Sequence, residues 1–169
     1  MTDSTTREKS LIMTVLTSPD MVNFSGKVHG GAMLKILDQV AYACAARYAG
    51  QYVVTLSADQ VSFRQPIHLG ELVTLLSNVN YTGRSSMEIG IKVVTENPLT
   101  GVSRHVMSCY FTMVAVDADG KPVAVPKLVP QTDPEKRLFA NAEKRRELRA
   151  AYDKAHAETL RKSKVKSAA

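Results

Sequence analysis

The chain has 169 residues, is 44% hydrophobic and carries a formal net charge of +6. That is enough for one ordinary domain with a full core, and the composition excludes a disordered chain. No run approaches the ~18 apolar residues that cross a bilayer, and the polar Met1 to Ser10 stretch lacks the apolar segment of a signal peptide, so a cytoplasmic protein without membrane insertion is expected.

Leu11 to Leu16 is a short apolar run read as a strand, broken by Ser18-Pro19-Asp20. Asn23 to Gly31 is a polar loop. A helix opens at Gly30 or its neighbours and ends at Gly50, with Arg47 in its last turn. Its interior is small-residued: Ala41, Ala43, Cys44, Ala45 and Ala46. Four strand-like runs follow, Val53 to Phe63, Glu71 to Tyr81, Ser86 to Glu96 and Val102 to Val116, joined by turn chemistry such as Thr82-Gly83, Asn97-Pro98 and Asp119-Gly120. A helix followed by consecutive hairpin-linked strands predicts an α+β domain, an antiparallel sheet on one buried helix. Lys121 to Pro130, with three prolines, is extended. Thr132-Asp133-Pro134-Glu135 then caps a long polar helix running to about Leu160, with Arg161 to Ala169 as a frayed tail. The domain division expected is 1–131 and 132–169.

Charge divides the same way. Residues 1–131 hold eleven Lys/Arg and ten Asp/Glu; residues 132–169 hold eleven and six. The excess sits in the tail, so the core is not a nucleic-acid-binding body. Cys44 and Cys109 lie in apolar runs and read as reduced, buried thiols. Two Cys and four scattered His make no spaced zinc set, so no metal is expected.

The segment from Asn23 to Asp38 carries the chemistry. The helix is almost entirely apolar, which predicts burial, and Asp38 in its middle is therefore read as a buried acid. The backbone N–H groups at Gly30 and Gly31 open the helix unshielded, where partial positive charge suits an oxyanion. Asp38 suits a general base or a nucleophile, and Asn23 can orient water or a carbonyl. His29 before the helix reads as a structural donor. A thioester is a reasonable target because its thiolate leaves readily. Gly31 and Asp38 are seven residues apart, about 10 Å along the axis. One reacting group cannot touch both in one chain. It can if a second copy's helix runs antiparallel beside the first, which makes a two-fold dimer the active unit. In the Gly83-Arg84-Ser85-Ser86 turn, arginine and two hydroxyls suit a phosphate, and Arg64 is a weaker candidate.

The pattern Asn-x-x-Gly-x-x-x-Gly-Gly followed by Asp38 resembles the hotdog-fold acyl-CoA thioesterases, specifically the acyl-CoA hydrolase branch that includes the brain-type enzyme. The likeness extends through Asp59-Gln60-Val61-Ser62-Phe63-Arg64-Gln65-Pro66 to Glu71 and through Thr82-Gly83-Arg84 to Glu88, covering roughly residues 8–130. It implies a five-stranded antiparallel sheet wrapped around a central buried helix, plus a C-terminal helix. It implies that Asn23 and Asp38 are catalytic across a dimer, that the Gly30 and Gly31 amides bind the thioester carbonyl, and that Arg84, Ser85 and Ser86 line the CoA channel. By the same resemblance dimers assemble as trimers of dimers, a homohexamer. The activity implied is hydrolysis of acyl-CoA in fatty acid metabolism, with no cofactor beyond the CoA of the substrate. One departure is Leu37, where many relatives carry an aromatic residue; it bears on packing and acyl preference. Two other readings compete. A non-catalytic acyl-CoA sensor would carry a DNA-binding segment, for which Met1 to Ser10 is too short. A dehydratase would pair a catalytic His with an acid, and no such pairing is legible.

Overall fold

The computed structural model describes residues 7–59 and 61–167, with side chains through Leu160. Met1 to Thr6, Gln60 and the last two alanines of the segments read above lie outside the described residues. The elements are β1 (Ser10–Leu16), a 3-10 turn (Pro19–Met21), α1 (Gly30–Ala49), β2 (Val53–Asp59), β3 (Leu72–Thr82), β4 (Ser86–Glu96), β5 (Ser103–Ala115) and α2 (Asp133–Ser167). The five strands form one sheet in the order β1-β3-β4-β5-β2, every neighbour antiparallel. α1 packs against all five. This is the hotdog arrangement, a sheet wrapped on a single helix.

Period-two alternation decides which strand residues meet α1. On β3 the inward set is Val73, Leu75, Ser77 and Val79, paired with Thr95, Val93, Ile91 and Ile89 of β4. All eight are buried, and so are Leu37, Val40, Ala41, Cys44 and Ala45 of α1. The alanines and the cysteine let the sheet backbone come close to the helix. Burial pushes the Cys109 thiol up to about 12 and raises the Cys44 thiol as well, so both are inert core residues. The helix stops at Gly50, whose φ of 68° is left-handed and whose N–H donates to the Ala46 carbonyl.

Contacts divide the chain into two compact units, one ending at Leu128 and one starting at Val129. In the second, α2 opens with a reciprocal cap. The Glu135 N–H donates to Thr132 Oγ1, and Glu135 Oε2 accepts from the N–H groups of Gln131 and Thr132. No glycine or proline follows Pro134, and the helix is assigned through Ser167 rather than to about Leu160.

One strand reading needs correction. β2 stops at Asp59, not Phe63, although Val61 and Phe63 keep the alternation. A tertiary clamp takes over this stretch. Arg104 of β5 donates to both oxygens of Glu71, at 2.6 and 3.0 Å, and to the Pro66 carbonyl at 2.6 Å. Glu71 also accepts from the His68 N–H. The loop carrying Phe63 and Arg64 is thereby tied down as a loop. It is joined to the loop before α1 as well, since the Val28 N–H donates to the Ile67 carbonyl. Burial disfavours the Glu71 carboxylate, yet the Arg104 hydrogen bond, the His68 N–H and the Arg104 charge outweigh it and hold its pKa below the usual range. A lowered carboxylate pKa adds stability above the ordinary value, lost as pH falls through the lowered one. Arg104→Gln leaves Glu71 short of its partner and is expected to cost roughly 2–3 kcal/mol. Urea unfolding at neutral pH measures it, and the deficit should shrink in acid.

Candidate active site

Asp38 is not buried in the chain. It lies on the exposed face of α1, with Gly31, Leu34, Lys35 and Tyr42. The core takes the opposite face, Met33, Leu37, Val40, Ala41 and Cys44. The apolar reading of the helix is right, but its apolar residues go two ways: Leu34 and Tyr42 are about two-fifths exposed, at 40% and 41%. A one-chain core covers only one side of α1.

Thr55 of β2 is the partner that sequence reading missed. Its hydroxyl donates to Asp38 Oδ1 at 2.6 Å. The pairing follows from register. Thr55 lies opposite Met113, whose side belongs to the helix-facing set, and a β-bulge at Leu56 follows at once. The bond orients the carboxylate and occupies one of its oxygens. Charge-assisted bonds of this length are the stronger kind. Thr55→Ala is expected to lower turnover about 10- to 100-fold, the worth of one hydrogen bond to a charged group, with little change in melting temperature, because both groups are exposed.

The loop before α1 is built around Asn23. Its Oδ1 accepts from the Ser25 N–H at 3.0 Å, the Ser25 hydroxyl at 2.8 Å and the Lys27 N–H at 3.2 Å. Gly26 closes the turn at φ 71°, donating to the Asn23 carbonyl. These bonds commit the amide oxygen, so Nδ2, a donor, is the end of Asn23 left for a ligand.

The two glycines differ. The Gly31 N–H donates to His29 Nδ1 at 3.0 Å, so that amide is not free as the double-glycine reading expected. His29, expected as a donor, is an acceptor and caps the helix. The Gly30 N–H meets no acceptor among the described residues. A Cβ on Gly30 would rest 3.4 Å from the Phe63 ring, so Phe63 walls this amide on one side.

The expected phosphate ligands lie elsewhere. Arg84 is exposed in the β3–β4 turn, whose backbone is fixed by the Gly83 N–H on the Ser86 carbonyl and the Val125 N–H on the Arg84 carbonyl. Ser85 and Ser86 are half-buried, and Arg64 is exposed beside Phe63. No bond joins any of the four to Asp38. An open recess of about 670 Å³, lined by Tyr52, Val54, Val116 and Val123 among others, contains none of these residues. In the chain, then, Asp38 and Asn23 stand on open surface and Gly30 is half-buried beside Phe63.

A model of the thioesterase superfamily matches residues 25–102. Protein VdlD of Helicobacter pylori is 46% identical over 147 residues, 87% of this chain and 83% of its own length. The crystal structure of an apo-hexameric acyl-CoA thioesterase is 39% identical, with a TM-score of 0.82, and covers 85% of this chain and 92% of that one. The chain belongs to the thioesterase superfamily, among its acyl-CoA hydrolases. The brain-type branch within them is supported only loosely. An acyl-CoA hydrolase from Staphylococcus aureus, solved in complex with butyryl coenzyme A, coenzyme A and coenzyme A disulfide, is 30% identical at TM-score 0.81, over 89% of this thioesterase and 92% of that chain. Further structures of that hydrolase carry alanine in place of one Asn, one Asp and one Thr. No described helix of this thioesterase is long and apolar enough to cross a membrane.

Proposed function

We propose that this thioesterase hydrolyses fatty acyl-CoA to free fatty acid and CoA in the cytoplasm, at sites shared by two copies of the chain. The observation that carries it is the Thr55–Asp38 pair on the open face of α1, with the Gly30 amide unclaimed at the start of the same helix. Gly30 and Asp38 are eight residues, about 12 Å, apart along the axis. A partner helix running antiparallel brings the Asp38 of one copy to the Gly30 of the other. The exposed Leu34, Tyr42, Tyr52 and Leu56 near Asp38 give such a partner an apolar surface to cover. The substituted Asn, Asp and Thr of the Staphylococcus aureus hydrolase have the same spacing as Asn23, Asp38 and Thr55, which supports a joint role for the three.

The roles follow from what each group has left to offer. The Gly30 N–H and Asn23 Nδ2 polarise the thioester carbonyl and hold the oxyanion. Asp38, fixed by Thr55 on one oxygen, takes a proton from water with the other. The water oxygen bonds to the carbonyl carbon, the C–S bond breaks, and the CoA thiolate takes the proton back from Asp38. Arg84, Ser85 and Ser86, with Arg64, hold the CoA phosphates, and dimers assemble as a trimer. No cofactor or metal is needed. A single turnover in H2(18)O separates the routes: water attack places the label in the fatty acid, whereas direct attack by Asp38 expels CoA to form an anhydride whose opening by water at the Asp38 carbonyl places the label in Asp38. The direct test is CoA release from acyl-CoAs of about two to sixteen carbons, a span set by the pocket class. Release from at least one is expected. Binding without release from any would leave a sensor, not an enzyme.

A further inference from the structure

Capping residues are usually Ser, Thr, Asp or Asn. Here the cap is His29, and its geometry is specific. Its backbone is extended at φ −68° and ψ 135°, and Nδ1 accepts the Gly31 N–H. Its own N–H donates to the Met21 carbonyl at 2.7 Å, and its carbonyl accepts from Met33. A Cβ on Gly31 would stand 3.2 Å from Nδ1 and 3.5 Å from Cε1, so the imidazole lies close against the second glycine and a side chain there would press on it. The first glycine has a different neighbour, Phe63.

We propose that His29 is a positioning residue: its neutral Nδ1 takes up the Gly31 amide, so that this amide does not compete with its neighbour Gly30 for the thioester carbonyl. The proposal rests on the hydrolysis reading above. A helix start has several unsatisfied N–H groups, and the Gly31 N–H, next to Gly30, would if left loose attract water or split the oxyanion between diverging donors. An Asp cap would settle Gly31 equally well, but it would put a negative charge beside an oxygen that becomes negative in the transition state. A neutral imidazole acceptor settles the amide without that repulsion. Accepting at Nδ1 places the proton on Nε2.

The test separates the cap from the chemistry. Stability should follow capping strength, with His29→Asp and His29→Asn both melting above His29→Ala. Turnover should follow a different order. His29→Asn, a neutral cap, is expected within about threefold of the parent and His29→Ala about tenfold down. His29→Asp is expected about a hundredfold down, comparable to losing an oxyanion donor, with the loss in kcat rather than KM. If His29→Asp turns over as fast as His29→Asn, or if rate tracks melting temperature through the series, the proposal is overturned. Asp38→Asn is measured beside them. If it keeps its turnover the Asp38 mechanism fails, while the His29 series is still read against its own parent. Imidazole (15)N shifts give a readout that needs no turnover: a neutral ring with the proton on Nε2 is expected, and a proton on Nδ1 overturns the proposal.

Discussion

Replacing Asp38 by Asn is expected to lower kcat for CoA release by about a thousandfold or more, the scale of losing a positioned base together with the charge it carries. The fold should be unaffected. Asp38 is exposed, and an Asn oxygen still accepts the Thr55 hydroxyl that now bonds Oδ1. KM should change little, because the carboxylate is not among the groups assigned to the CoA phosphates. Thiol release under saturating acyl-CoA, with a melting curve on the same sample, measures both halves. A kcat within tenfold of the parent would remove Asp38 from the reaction.

Mixing two dead variants should restore activity. Asn23→Ala loses the carbonyl donor and Asp38→Ala loses the base, so neither homo-oligomer is expected to turn over. Co-produced in equal amounts, the two chains pair at random and half of the dimers are mixed. In a mixed dimer, one site combines the intact Asp38 of one chain with the intact Asn23 of the other, and the second site lacks both. The recovered rate is therefore expected at about a quarter of native, and about half once mixed dimers are isolated through two affinity tags. A site built within one chain predicts no recovery at all. This outcome decides the geometry independently of which acyl-CoA is used.

Much of the fold was legible because local chemistry and tertiary demand agree. Ser86 to Glu96 alternates, has turns at both ends and lies in the sheet interior, and the strand occupies those residues. Gly50 ends the helix because a left-handed residue is needed there. Asp38 was legible as an acid but not as an exposed one. An apolar helix reports that its residues seek cover, and it does not say whether the cover comes from the same chain; Leu34 and Tyr42 are the residues for which it does not. Thr55 had no local signal, since threonine in a Val-rich strand is an ordinary β-former and only the cross-strand register turns it toward Asp38. Glu71 and Arg104 are 33 residues apart with no shared motif, so the clamp that ends β2 early could not be read. The two glycines were read as one unit and His29 as a separate donor, and only the hydrogen bond from Gly31 to His29 divides the glycines and reverses the histidine's role.

The bulge in β2 leaves Leu56 as a surplus link. Thr55 pairs with Met113, and the next rung joins Ser57 to Thr112, adjacent residues of β5. Excising Leu56 would therefore leave each remaining rung with its present mate and Thr55 still turned toward α1. A homologue one residue shorter at this point can keep the same ladder, and an alignment that tolerates a gap there misplaces nothing. What such a shortened strand would lose is its bend and the leucine now standing 69% open to solvent.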